Sequence, residues 1–138
     1  MQVTDLIPLN SRQKSFYGKA KVIDLNDYAV ALQSYDTIVC VVDYEERGVT
    51  KITFPWANWS ATTSRHISEF LEQQRIPVRF LMEEITKREP GIKSFKQLME
   101  CVRYIEFGEK VDFYYDDDCS RESLQYVDNL IHNYPEAR

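Results

Sequence analysis

The run Ile38-Val39-Cys40-Val41-Val42 restricts the possible folds of this chain more than any other stretch. β-branched side chains favour a pleated backbone, and an apolar run without alternation marks a strand in a central position of a sheet. Alternation elsewhere supplies its neighbours. In residues 15–23, Phe16, Gly18, Ala20 and Val22 share one face, while Tyr17, Lys19 and Lys21 share the other, as in a half-buried strand. Residues 28–32 read as a second strand, 37–44 as the third and 49–54 as the fourth, after the loop Glu45-Glu46-Arg47-Gly48. Gln33-Ser34-Tyr35-Asp36 fits a turn or a bulge equally.

Beyond residue 60 the apolar period changes from two to near 3.6. A helix over 61–74 buries Thr63, Ile67, Phe70 and Leu71. Pro77 suits the first turn of a second helix, with Val78, Leu81, Met82 and Ile85 on one side and Glu89-Pro90-Gly91 as the stop. Ser94 and Gln97 form a capping box for a third, whose face is Phe95, Leu98, Met99, Val102 and Ile105. Residues 107–115 alternate again, and Ser120 caps a last helix carrying Leu124, Val127, Ile131 and Tyr134. The expectation is a single α+β domain over 1–138, with an antiparallel sheet of four to five strands and four helices in the order ββββαααβα.

With 138 residues, 43% hydrophobic and 28% charged, the chain can bury a sizeable core. No run approaches the ~18 apolar residues of a membrane span, and the N-terminus lacks a basic-then-apolar leader, so a cytoplasmic location is expected. Cys40, Cys101 and Cys119 are odd in number and far apart, Cys40 and Cys101 reading as small core residues. His66, His132 and these cysteines have no metal-ligand spacing, so neither metal nor cofactor is expected.

Charge is unevenly distributed. Residues 6–23 hold Arg12, Lys14, Lys19 and Lys21 and no acid, whereas residues 106–138 hold nine acids against three bases. An acidic third of this kind suits a partner with a basic surface. Its candidate contacts are Asp112, Tyr114, Asp116, Asp117, Asp118 and Glu122, with Trp56 as a separate aromatic anchor and Trp59 expected in the interior. The Asp116–Asp118 run also complements the dipole of a helix starting at Ser120. A second candidate is the hydroxyl-rich run Ser60-Ala61-Thr62-Thr63-Ser64. Ser60 or Thr62 can cap the first helix, and Ser60, Thr62, Arg65 and His66 could together hold an anion. His66 is expected on the rim of the buried stripe, packing on Phe70, and the positive helix end favours its neutral form.

Two segments together, Gln33-Ser34-Tyr35-Asp36-Thr37-Ile38-Val39 and Trp59 through Leu71, carry a resemblance. They resemble a small domain-of-unknown-function family of low-GC Gram-positive bacteria and their phages and plasmids. Its signature is a Ser-Tyr-x-Thr strand followed by an aromatic-Ser-x-Thr-Thr-x-x-His-Ile helix start. The likeness covers about residues 30–75. It implies that the helix start is a fold signature with Ser34, Tyr35 and Thr37 beside it, and a mobile-element setting without an activity.

The functional expectation is a non-enzymatic acidic binding protein of a mobile element. Its sharpest form is an anti-CRISPR-like inhibitor occupying a basic surface of a host-defence nuclease, a Cas nuclease being one such partner. Ranked below it is a plasmid or phage accessory protein contacting nucleic acid through Arg12–Lys21. A small hydrolase using His66 ranks last.

Overall fold

The apolar run lies in β4 (Thr37–Tyr44), the fourth of seven strands that the described residues form in one antiparallel sheet, whose spatial order follows chain order. The computed structural model describes residues 2–44, 48–55 and 60–115. The other strands are β1 (Val3–Asp5), β2 (Ala20–Asp24), β3 (Ala29–Ser34), β5 (Thr50–Thr53), β6 (Val102–Phe107) and β7 (Val111–Tyr115). Three helices, α1 (Ala61–Gln73), α2 (Val78–Arg88) and α3 (Phe95–Cys101), are inserted between β5 and β6. Among the described residues no helix is long and apolar enough to cross a membrane.

Side-chain alternation sorts the sheet into two faces. Val30, Leu32, Cys40, Val42, Ile52, Ile105 and Phe113 join one buried cluster with Ile67, Phe70, Leu71, Leu81, Ile85, Leu98 and Met99 of the helices. All three helices therefore pack on that face. On the opposite face Ile23, Leu25, Ala29, Ala31, Ile38 and Val41 form a second buried cluster. β4 supplies residues to both clusters, which is why it reads as continuously apolar. A one-residue bulge adds to the effect: Leu32 pairs with Cys40 but Gln33 pairs with Ile38, leaving Val39 as the extra residue.

The α+β class and the antiparallel sheet agree with expectation, but the element count and order do not. Seven strands and three helices are described, in the order βββββαααββ. The largest difference is at residues 102–105, where the third helix was expected to continue. Leu98, Val102 and Ile105 have helical spacing, and all three are fully buried. In the fold, α3 ends at Cys101 and Val102 starts β6 with no loop between them. The ladder shifts register between Val102 and Tyr104, since Val102 pairs with Tyr115 and Tyr104 with Tyr114. That bulge puts residues three apart on one face of a strand, imitating the helical period. The bulged Arg103 completes the junction. Its guanidinium donates to the carbonyls of Met99 (2.5 Å), Glu100 (3.0 Å) and Val102 (3.2 Å), satisfying oxygens that the end of α3 leaves without helical partners.

Smaller corrections have equally local causes. The strand expected from Ser15 starts only at Ala20, because Tyr17 and Gly18 both have positive φ (53° and 72°) and break the extended backbone. β1 was missed because it is a three-residue edge strand with every side chain exposed. The alternation at 107–115 is split by a turn at Gly108-Glu109-Lys110. Cys101, expected in the core, is exposed at the last position of α3, whereas Cys40 is buried. The expected helix after Ser120 lies outside the described residues, as do Trp56, Trp59 and Cys119.

Because α1 is the element whose apolar face is most fully enclosed, truncation there should be costly. Phe70→Ala removes a ring with 0% exposure and is expected to cost about 3–5 kcal/mol in urea denaturation. Ile7→Ala, at a side chain 64% exposed, should stay within about 0.5 kcal/mol of the parent.

Candidate functional site

The hydroxyl-rich helix start and the end of β3 meet under the sheet's helix-covered face. Ser60 is the N-cap of α1, with extended backbone (φ −69°, ψ 162°) and its Oγ accepting the Thr63 backbone N–H at 3.1 Å. Ser64 Oγ donates to the Ser60 carbonyl at 3.0 Å. Much of the hydroxyl crowding is thus the ordinary chemistry of starting a helix.

Thr63 and His66 point the other way, into the protein. Thr63 Oγ1 lies 3.1 Å from Ser34 Oγ, and Ser34 Oγ lies 2.8 Å from His66 Nδ1. Ser34 ends β3, and its pairing with Thr37 leaves a two-residue turn, Tyr35-Asp36, with Tyr35 at φ 55°. Ser60 Oγ donates to Thr63 Oγ1 at 3.2 Å. One proton order then satisfies the chain: Ser60 to Thr63, Thr63 to Ser34, and Ser34 to Nδ1, which places the ring hydrogen on Nε2. The His66 ring meets the Phe16 ring edge-on at 4.6 Å and the Tyr35 ring at 5.9 Å. His66 is therefore not on the rim of the buried stripe but within it. It is 1% exposed, Ser34 only 3%, and the pair lies in the interior. Burial, and then the neighbouring Arg65 charge, lower its pKa from the usual 6.5 and keep the ring neutral.

One turn later on α1 sits a buried carboxylate that the sequence reading passed over. Glu69 accepts the backbone N–H groups of Leu9 (3.0 Å) and Asn10 (2.7 Å), the Asn10 side-chain amide (2.9 Å) and the Gln73 amide (2.9 Å). Gln73 also donates to the Ile7 carbonyl at 2.7 Å. Burial pushes the Glu69 carboxyl up, but the Gln73, Asn10 and Leu9 donors outweigh it and hold the group below 4.5. The available signal was spacing. His66, Glu69, Phe70 and Gln73 follow the i, i+3, i+4, i+7 stripe, so a carboxylate there must face inward and find donors. Asn10, Ser11, Ser64, Arg65, Ser68 and Glu69 contribute to an open cleft of about 410 Å³ beside this clamp.

The expected groupings are only partly assembled. Ser34 and Tyr35 do neighbour the helix start, as the resemblance implied. Ser60, Thr62, Arg65 and His66 do not converge as an anion site would. Ser60 Oγ is engaged with Thr63, His66 is bound inside to Ser34, Thr62 is half-buried and Arg65 faces solvent. Of the acidic candidates, Asp112 and Tyr114 project from the sheet face opposite the helices, as alternation with buried Val111 and Phe113 requires. Trp56, Asp116, Asp117, Asp118 and Glu122 lie outside the described residues. Among the described residues no group of three or more His, Cys, Asp or Glu side chains is placed to hold a metal ion.

The two shifted groups fix the direction of the pH response. Folding keeps His66 neutral at pH values where the unfolded ring takes a proton, so stability falls as pH drops below about 6.5. The Glu69 contribution is fully present above 4.5 and is lost as pH falls through the lowered folded value. The melting temperature is therefore expected to fall between pH 7.5 and pH 5.5. In His66→Gln that particular fall should shrink; an identical pH profile in parent and variant would contradict the buried neutral ring.

No curated protein and no solved structure matches this chain. A family model does, over residues 4–89, a span that begins in β1, includes the Ser34–Thr63–His66 cluster and the Glu69 clamp, and ends just past α2. That span is 86 of the 138 residues, and the chain belongs to this family of unknown function, DUF8033.

Proposed function

We propose that this chain is a non-enzymatic binding protein that docks an acidic, tyrosine-bearing surface onto the basic surface of a protein partner. The observation that carries the reading is the surroundings of Tyr114. Glu106 and Asp112 are paired across β6 and β7, and Tyr104 and Tyr114 are paired one step along, with ring centroids 5.3 Å apart. These four side chains share the face opposite the helices. Burial, then Glu106 and Asp112, raise the Tyr114 hydroxyl above its usual 10, while Lys51 of β5 stands opposite Glu106. Arg88 approaches Asp112 at 3.6 Å, yet the Asp112 side chain remains 48% exposed. An aromatic set among carboxylates combines electrostatic steering with a ring suited to contact.

The buried state of Ser34 and His66 supports a binding role over hydrolysis, since a pair this enclosed meets no substrate in the described conformation. A mobile-element setting, with a host-defence nuclease as the partner and inhibition in the manner of an anti-CRISPR as the outcome, is the sharpest form of the proposal. Nucleic-acid channels of such enzymes are basic and would be matched by this charge.

The test is capture of a partner from nuclease-treated host lysate, followed by measurement with the purified pair. Glu106→Lys with Asp112→Lys should weaken binding about tenfold and flatten its salt dependence, while Tyr114→Ala weakens binding without changing the salt slope. Unchanged affinity and unchanged salt slope in the charge-reversed variant would overturn the acidic-surface reading.

A further inference from the structure

At the α1 end of the sheet, away from the acidic surface, two tyrosines occupy backbone conformations that suit them poorly. Tyr17 has φ 53° and Tyr35 φ 55°. Bulky L-residues rarely adopt positive φ, at a cost of roughly 1–2 kcal/mol, whereas glycine adopts it freely. Gly18, next in sequence, does so at φ 72°. Burial of the ring does not explain the choice at Tyr17, which is 78% exposed; Tyr35 is 48% exposed.

The two turns are joined. The Tyr35 N–H donates to the Lys19 carbonyl at 2.7 Å, and Phe16 and Tyr35 both contact the His66 ring. Between Asn10, held by Glu69, and Phe16, held on His66, the chain runs back along the first turns of α1. Arg12 and Lys14 are exposed on that path, Lys19 is exposed just after it, and Arg65 is exposed beside His66. Residues 6–23 contain no acid. Carboxylates near this path include Asp36 in the Tyr35 turn, Glu72 in the cleft that Arg65 lines, Asp5 opposite Lys21, and Glu69, whose oxygens already accept four hydrogen bonds.

We propose that this ridge is a binding site for single-stranded nucleic acid, with Tyr17 and Tyr35 as stacking platforms for bases and Arg12, Lys14, Lys19 and Arg65 as phosphate contacts. Exposed rings carried on joined turns and bordered by cations suit sequence-tolerant single-strand recognition. An acidic peptide would use the cations and leave the strained rings without a purpose. The net charge of −5 makes the interaction local, modest in affinity and sensitive to salt. The site is independent of the acidic surface around Tyr114.

The test titrates the full chain into a fluorescently labelled oligothymidine at low and at moderate salt, with fluorescence anisotropy as the readout. Saturable binding that weakens with salt is expected. Tyr17→Gly should melt at or near the parent temperature, because the strained φ is relieved, yet bind about tenfold more weakly, the loss of one stacked base. Tyr17→Phe should retain binding, and Tyr17→Asn, which also tolerates this φ, should reproduce the loss if the glycine variant folds poorly. Lys14→Gln with Lys19→Gln should lower both affinity and the salt slope. Absence of binding at low salt, parent-like binding by folded Tyr17→Gly, or equal competition by polyglutamate or by duplex of the same sequence would each overturn the proposal.

Discussion

The seating of α1 on the sheet depends on buried polar contact, above all the hydrogen bond between Ser34 and His66. Apolar burial alone would allow α1 to slide or rotate over β3 and β4, because Ile67, Phe70 and Leu71 meet a surface of similar aliphatic side chains. The 2.8 Å bond from Ser34 Oγ to Nδ1 and the 3.1 Å approach of Thr63 fix one register. Burying these groups is tolerable only while each has its partner, so a shifted register is penalised. Glu69 applies the same rule one turn further along α1, where three donors of Leu9 and Asn10 hold that segment against the helix and Gln73 bridges to the Ile7 carbonyl. The family match spans this assembly and ends just past α2. The polar residues of this assembly are thus the ones that position a helix.

How much of this was legible depended on how many physical signals agreed at each place. α1 was legible to within a residue because an N-cap, a 3.6-residue stripe and a clear end coincide. β4 was legible because an unbroken β-branched run fits little else. β6 was hidden because a bulge at Arg103 gives a strand the spacing of a helix, and a bulge is created by pairing, which only the partner strand reveals. The turn at Tyr17 was hidden because nothing in the residue type announces positive φ there. Part of the candidate site was legible from resemblance, in the nearness of Ser34 and Tyr35 to the helix start. The depth of His66 was not, since Phe16, which closes over it, comes from 50 positions earlier in the chain.

These two kinds of residue separate what holds the fold from what is presented by it. Ser34, Thr63, His66 and Glu69 are enclosed and satisfied, and their substitution is expected to be read first as lost stability. Tyr17, Tyr35, Tyr114, Glu106 and Asp112 are at least partly open and lie at two separated places, one bordered by cations and one by carboxylates. Strain at Tyr17 is a stability cost kept in the structure without a buried ring to offset it, a pattern more often associated with binding than with folding.

The most direct test of the account is a double-mutant cycle between Ser34 and His66, read by urea denaturation at pH 7.5. If their bond seats the helix, Ser34→Ala and His66→Ala should each destabilise, and the double variant should lose less than the sum, with a coupling of about 1 kcal/mol or more. Additivity to within about 0.3 kcal/mol would contradict it, because two side chains that act independently cannot be what fixes α1 on the sheet.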